Sequence, residues 1–484
     1  MTKKEILNKI FGYDTFNKGQ EEIIDAVLQG HDVLAMLPTG TGKSLCYQLP
    51  AYLLEGSVLI VSPLISLMQD QVEQLQILGE RKVVAINSFL NGRMREKAFR
   101  QLNKYRFIYL SPEMLGMKSI LDRLKQIKIS LFVIDEAHCI SQWGYDFRTD
   151  YLNLGKIRLS IGKPPTLALT ATAQPEVRED IKQLLRFNNP KEYVYSIDRP
   201  NISMVVEKYD HYEEKKKRLL ELVRNFKKPG IIYFSSKRLT EEFVDFLQLN
   251  GIRNVAAYHG GINQEQRILI QQQFLCGQLD VVCATSAFGM GINKKNIRFV
   301  IHYHMPGQME SYIQEIGRAG RDGQESIALL LYASGDEMLP IRLIEQELPD
   351  DWQINAYESL TNVKDVGKMM AELKITETQL RFLEYYFSAF RDHPEKAGKV
   401  IDIKNARKQL KLSKLWEMSN WVNSKECRRK QALTYFQETD QPSPHICCDI
   451  CQVDLTYYFT GKKEKHKDNK QSWEWRLQKI LLEK

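Results

Sequence analysis

Residues 131–138 read Leu-Phe-Val-Ile-Asp-Glu-Ala-His, an apolar run that ends in two adjacent carboxylates and a histidine. Neighbouring acids repel, so folding alone gives little reason to keep Asp135 and Glu136 side by side. A divalent metal and a water to be activated give a reason. A second constellation lies at 33–44, Val-Leu-Ala-Met-Leu-Pro-Thr-Gly-Thr-Gly-Lys-Ser. In a turn made by Thr39, Gly40, Thr41 and Gly42, backbone N–H groups would cradle phosphates. Lys43 would reach the β- and γ-phosphates, and the Ser44 hydroxyl would bind Mg²⁺. Leu37 stands where the strict phosphate-loop pattern has glycine, so the fit is to a looser version. The two constellations together point to nucleoside triphosphate hydrolysis. Asp135 is the expected Mg²⁺ acid and Glu136 the group that directs the attacking water. His138 completes the candidate catalytic set.

A third group lies in the second half. Gln314, Arg318 and Arg321 stand at i, i+4 and i+7, which on a helix aims all three along one face. Gly317 and Gly320 lie between them and would let another backbone approach. Arginines from a second domain that meet the phosphate held by Lys43 would stabilise transition-state charge and tie hydrolysis to cleft closure. Trp143, Tyr145, Phe147 and Arg148 crowd into six residues just after the acids. Aromatics on a loop offer stacking platforms for unpaired bases, worth about 1–3 kcal/mol per base. Arg148 would add a phosphate or cation–π contact.

These residues need elements to hold them. Among 484 residues, 43% are hydrophobic and the net charge is +8, from 68 basic and 60 acidic side chains. That length suits about three domains. The mild basic excess is compatible with a polyanionic partner. Residues 1–197 alternate strand-like runs (58–62, 107–110, 131–134, 166–169) with helix-like stretches, the pattern of a parallel sheet covered by helices. Asp198-Arg199-Pro200-Asn201 is turn chemistry and a linker candidate. A second α/β set follows, with strands at 230–234, 280–284 and 299–302 and an amphipathic helix at 239–249. From about 336 the pattern is helical and charged. The expected divisions are 1–200, 201–335, 336–455 and a basic tail at 456–484. No apolar run approaches the roughly 18 residues that span a bilayer, and no secretory segment is visible, so a cytoplasmic protein is expected. Cys46, Cys139, Cys276 and Cys283 read as buried free thiols. Cys427, Cys447, Cys448 and Cys451 cluster as metal ligands do in an intracellular chain.

With these elements in this order, the chain resembles a superfamily 2 helicase of the RecQ family over residues 8–455. Phe11-Gly12-Tyr13, Phe16 and Gln20 look like its adenine-recognising segment, with Gln20 reading the base. The run 62–70, through Ser62, Ser66 and Gln69, looks like a motif that contacts the single-stranded DNA backbone. Leu169-Thr170-Ala171-Thr172-Ala173 looks like the motif that couples hydrolysis to DNA. Residues 287–291 and 314–323 look like motifs V and VI. The run 138–148 resembles the family's aromatic-rich loop, with Trp143, Phe147 and Arg148 as DNA contacts. The resemblance implies two RecA-like parallel-sheet domains followed by a mainly helical, zinc-binding region, in the family's short form. It also implies ATP, Mg²⁺ and structural Zn²⁺, and 3′→5′ unwinding of single-strand-tailed or forked duplex DNA in recombination and repair. A monomer is expected, with single-strand-binding or recombination proteins as partners. Two zinc registers fit the family. One uses Cys427, Cys447, Cys448 and Cys451; the other places His445 in the position of Cys447, and the four-cysteine set is favoured. The chain departs from the family at Asn17, Tyr145, Thr149 and Asn293, which touches nucleotide contact and coupling but leaves Lys43, Asp135, Glu136, Arg318 and Arg321 in place.

Overall fold

The computed structural model describes residues 1–461 except 64, 88–95, 97, 142–148, 289–293, 361–365, 439–443 and 445. The first sheet contains β1 (Val33–Met36), β2 (Ser57–Val61), β3 (Val83–Ile86), β4 (Phe107–Leu110), β5 (Ile129–Ile134), β6 (Thr166–Thr170) and β7 (Lys191–Val194). Their order is β3-β4-β2-β5-β6-β1-β7, and every pair is parallel. β1, β2, β4 and β6 are buried along their whole length. Helices on both faces demand such strands, and they therefore read as continuous apolar runs. The order sets the carboxyl ends of β5, β6 and β1 side by side, where open α/β sheets bind ligands. The acids, Thr170 and the phosphate loop leave from those three ends.

The second sheet contains β8 (Ile202–Tyr209), β9 (Gly230–Tyr233), β10 (Val255–Tyr258), β11 (Val281–Ala284), β12 (Phe299–His302) and β13 (Ser326–Ala333). Their order is β10-β11-β9-β12-β13-β8, again parallel throughout. The expected helix is Lys237–Leu249. Ser236 caps it through Leu239 N, and it buries Thr240, Phe243, Val244 and Leu247, the i, i+3, i+4, i+7 stripe of a surface helix.

Beyond β13 the described chain is mainly helical. Leu348, Ile354, Leu373, Phe382, Leu383 and Val400 belong to a separate small core. The 28-residue helix Lys396–Asn423, about 42 Å long at 1.5 Å per residue, carries the chain from that core to the cysteine cluster. Lys411 pairs with Glu347 and Lys414 with Glu310, both at 2.6 Å. The cluster docks on the edge strand β8. Met204 N donates to Cys447 O at 3.1 Å, and Asp449 N donates to Met204 O at 3.2 Å, which covers an otherwise open sheet edge.

Three expectations change. Cys46, Cys139 and Cys283 are buried, but Cys276 is exposed, because it caps the end of the helix Gln264–Leu275. The basic tail does not begin at 456. Tyr458 is buried with its hydroxyl 2.7 Å from Ser203 Oγ, and the Phe459 ring lies 5.5 Å from Phe226, so 455–460 pack on the second domain. The motif VI helix ends at Ile316 with Gly317 as its cap. Arg318 and Arg321 therefore stand on the turn beyond it, not on one helical face with Gln314. Among the described residues, no helix is long and apolar enough to cross a membrane.

Candidate nucleotide site and zinc module

A cavity of about 700 Å³ opens between the two sheets. Gln20, Thr39, Gly40, Gly42, Lys43, Ser44, Asp135 and Glu136 line it from one side, and Gln314, Arg318 and Arg321 from the other. The phosphate loop can turn there because Gly40 and Gly42 adopt left-handed φ of +87° and +79°, which costs glycine nothing. Gln20 Nε2 donates to Thr41 O at 2.9 Å and Gly42 O at 3.0 Å. Gln20 Oε1 accepts from Asn17 N at 2.9 Å. In this conformation Gln20 braces the loop, and Asn17 Nδ2 reinforces it through Thr41 O at 3.0 Å.

Lys43 Nζ lies 3.7 Å from Glu136 Oε1. It is buried and has no hydrogen-bond partner among the described residues. A buried ammonium without a hydrogen bond is costly, and phosphate oxygens are the acceptors its position suits. Asp135 Oδ1 accepts from Glu136 N at 3.0 Å. Burial first, then the Glu136 charge, pushes the Asp135 carboxyl above its ordinary range, against Lys43. Burial pushes Glu136 up as well, but Lys43, His138 and Arg318 outweigh it and hold Glu136 below its ordinary value. Glu136 also takes a left-handed φ of +50°, a strain that structures keep mainly where function needs it. A raised acid beside a lowered one is how two adjacent carboxyls escape double ionisation, and such oxygen donors are the kind that suit Mg²⁺.

His138, 1% exposed, reaches three ways. Its Nδ1 is 3.4 Å from Glu136 Oε2 and 3.0 Å from Thr170 Oγ1. The Thr170 hydroxyl donates to Thr172 O at 3.1 Å, so its one hydrogen is committed and His138 Nδ1 carries the proton toward it. Gln314 Nε2, from the other domain, is 3.3 Å from His138 Nε2 and donates to Thr172 Oγ1 at 3.0 Å. Burial lowers the imidazole's pKa, Glu136 opposes, and Lys43 adds to the lowering. A neutral ring with a protonated Nδ1 and an accepting Nε2 agrees with both contacts. The motif around Thr170 and Thr172 thus joins the acids to the second domain.

The arginines close the site. Arg318 is buried, and the Arg321 stem crosses the phosphate loop, with Cγ 2.8 Å from where a Cβ on Gly40 would stand. Burial, then Arg318 and Arg199, lowers Arg321 to about 9, against Tyr233 and Glu136, as expected where cations gather in a buried site. Gly317 allows the approach, since a Cβ there would lie 2.0 Å from Thr39 Oγ1.

The residues expected to contact DNA fall elsewhere. Ser62 is buried at the end of β2. Ser66 lies in the helix Ile65–Ile77. Gln69 Oε1 accepts from Gln264 Nε2 at 3.2 Å across the cleft. Trp143, Tyr145, Phe147 and Arg148 lie outside the described residues, as do Asn293 and His445. Two residues that sequence reasoning did not single out also belong here. Lys295 lines the cavity. Arg199 bonds to the phosphate loop and the arginine turn. Arg199's partners are backbone carbonyls, which leave no sequence signature.

At the other end, the ligand atoms of Cys427, Cys447, Cys448 and Cys451 lie within 4.8 Å of one another. The Cys427 sulfur is 3.6 Å from that of Cys447 and 3.8 Å from that of Cys448. Four thiolates bound at about 2.3 Å around Zn²⁺ would stand about 3.8 Å apart at the corners of a tetrahedron. The four-cysteine register therefore fits the ion, and it leaves no open position for water. Arg428 ties the cluster to the helix Lys396–Asn423: its Nη2 lies 3.1 Å from Asp449 Oδ2, and its Nη1 donates to Val422 O at 3.2 Å.

Comparison with known proteins agrees with this geometry. The DEAD/DEAH box helicase model matches residues 17–181, the helicase conserved C-terminal domain 214–323, and the RecQ zinc-binding model 391–452. A probable ATP-dependent DNA helicase RecS of Bacillus subtilis is 42% identical over 99% of this chain and 98% of its own length. The ATP-dependent DNA helicase RecQ of Haemophilus influenzae is 43% identical over 93% of this chain, which spans 63% of that protein. The crystal structure of the DUF1998 helicase MrfA bound to DNA superposes with a TM-score of 0.59 at 20% identity, over 71% of this chain and 52% of that one, and so shares the fold. With the zinc module and both motor domains matched in order, the chain belongs to the RecQ family of ATP-dependent DNA helicases.

Proposed function

We propose that the protein is a Mg²⁺-dependent ATP-driven motor that moves 3′→5′ on single-stranded DNA and separates tailed or forked duplexes in recombination and repair. The observation that carries this reading is the cleft itself. One domain presents Lys43, Asp135 and Glu136, and the other presents Arg318 and Arg321, around a single cavity of about 700 Å³. Lys43 and the loop N–H groups bind phosphate, Ser44 and Asp135 would hold Mg²⁺, and Glu136 orients the water and takes its proton. Mg²⁺ would supply charge neutralisation between the phosphates. Phosphate that draws Lys43 away from Glu136 frees that carboxylate for the water. Arg318 and Arg321 meet the charge that develops on the transferred phosphoryl group. Gln314 connects that turn through His138 to Glu136, so the water-directing acid responds to the position of the second domain. Zn²⁺ on Cys427, Cys447, Cys448 and Cys451 would fasten the module structurally.

The test pairs ATP hydrolysis in single-stranded DNA, in RNA and without nucleic acid with unwinding of duplexes carrying a 3′ or a 5′ tail. Stimulation by DNA and opening of the 3′-tailed duplex alone are expected. Stimulation by RNA alone, or a preference for the 5′ tail, would overturn the substrate or the direction.

A further inference from the structure

Arg199 lies in the link between β7 and β8, outside every motif that carries the chemistry above. Its guanidinium stands at a junction of the two domains. Nη1 donates to Thr39 O at 3.0 Å and to Gly317 O at 3.1 Å. Nη2 donates to Ala319 O at 3.1 Å and to Gly320 O at 2.7 Å. Thr39 opens the phosphate loop, and Gly317, Ala319 and Gly320 form the turn that bears Arg318 and Arg321. One rigid, planar fork therefore sets the spacing between the loop and the turn, which a flexible ammonium does less well. Thr39 Oγ1 supports the same junction by donating to Gly317 O at 3.0 Å.

Arg199 is itself held from behind. Arg429, on the zinc-module helix Arg428–Tyr435, pairs with Asp198 and donates to the carbonyls of Arg199, at 3.1 Å, and of Ile202. Glu438 accepts from Ile197 N at 2.8 Å and from the Ser196 hydroxyl. Asn201 Nδ2 completes the frame, donating to Gly320 O at 2.8 Å and Gln324 O at 2.9 Å. The link is thus fixed between the zinc module on one side and the cleft on the other.

We propose that Arg199 is a positioning residue for ATP hydrolysis: it registers the turn carrying Arg318 and Arg321 against the phosphate loop. The inference rests on the reading that those two arginines serve the γ-phosphate. A general interdomain glue would affect stability. A registering residue affects turnover more than nucleotide binding, because small misplacement of a charge-stabilising group acts on the transition state.

The experiment measures DNA-stimulated ATP hydrolysis by the full chain and its Arg199→Ala, Arg199→Lys and Arg321→Ala variants, with melting temperature and zinc content followed in parallel. Arg199→Ala is expected to lose about 100-fold in kcat with KM for ATP near the wild-type value and zinc content unchanged. Arg199→Lys is expected to fall between. Wild-type kcat in Arg199→Ala, or a loss confined to KM, overturns the role. If Arg199→Ala does not fold, Arg199→Lys decides. Reduced kcat at wild-type melting supports the role, and undiminished kcat overturns it. Loss of turnover in Arg321→Ala alongside full turnover in Arg199→Ala sinks only the positioning role. Full turnover in Arg321→Ala sinks the reading of the cleft and the positioning role with it.

Discussion

At the scale of single residues, a few buried titratable groups carry the consequences. Lys43 Nζ has only Glu136 at 3.7 Å and no hydrogen bond among the described residues. A Lys43→Ala variant is therefore expected to lose about 100-fold or more of its ATP turnover while DNA binding, followed by fluorescence anisotropy, persists. A second buried group reports on stability. His304 accepts from Ser235 N through Nδ1 at 3.2 Å, and burial, with Lys215, lowers it from 6.5 to about 3. The folded state holds it neutral, whereas the unfolded chain takes up a proton below about pH 6.5. Its contribution is therefore unfavourable below that pH, and stability falls as pH drops from 6.5 toward 3. At pH 5 the expected cost is about 2 kcal/mol. Urea midpoints of wild type and His304→Asn, compared at pH 7 and pH 5, check this: the variant should show the shallower decline. The candidate nucleotide residues were legible in the sequence because each motif is contiguous. The pairing of His138 with Gln314 was not, since the two lie on different domains.

At the scale of elements, the junction between phosphate loop and arginine turn has no spare room. A Cβ on Gly317 would stand 2.0 Å from Thr39 Oγ1 and 3.0 Å from Ile313 O. Gly317→Ala is expected to push the turn off the loop and to lower kcat about 10-fold or more with little change in melting temperature; stopped-flow phosphate release on the variant checks it. The period of three to four residues suggested that a helix would carry Gln314, Arg318 and Arg321 together. The helix stops at Ile316, and periodicity cannot show where a helix ends. Strand existence was easier to read than topology. Buried parallel strands advertise themselves as apolar runs, but nothing in those runs says that β6 lies between β5 and β1.

At the scale of the whole molecule, the zinc module is a brace. It pairs with the edge strand β8 and shares a hydrophobic cluster with both motor domains through Leu415, Met418, Trp421, Cys447 and Cys448. It also grips the link that carries Arg199. Removing the ion is therefore expected to loosen more than the module. Cys448→Ser should lower zinc content, measured by metal analysis, and cost several kcal/mol of stability, with ATP turnover falling as the link loosens. A variant that kept full zinc and wild-type melting would refute the four-cysteine site.

The amino-acid sequence by itself determined the chemistry. Lys43, Ser44, Asp135 and Glu136 raise the expectation of phosphate and a divalent metal, and the four cysteines that of zinc, because each group works through residue type and short spacing. Only the tertiary structure decided how those pieces act together. It brought Arg318 and Arg321 to the phosphate loop from a turn more than 270 residues away, set His138 between Glu136 and Gln314, and made Arg199 the bridge. Those relations are distances between backbones that the chain closes only when its two sheets pack, and bonds to backbone carbonyls can be made to any residue type.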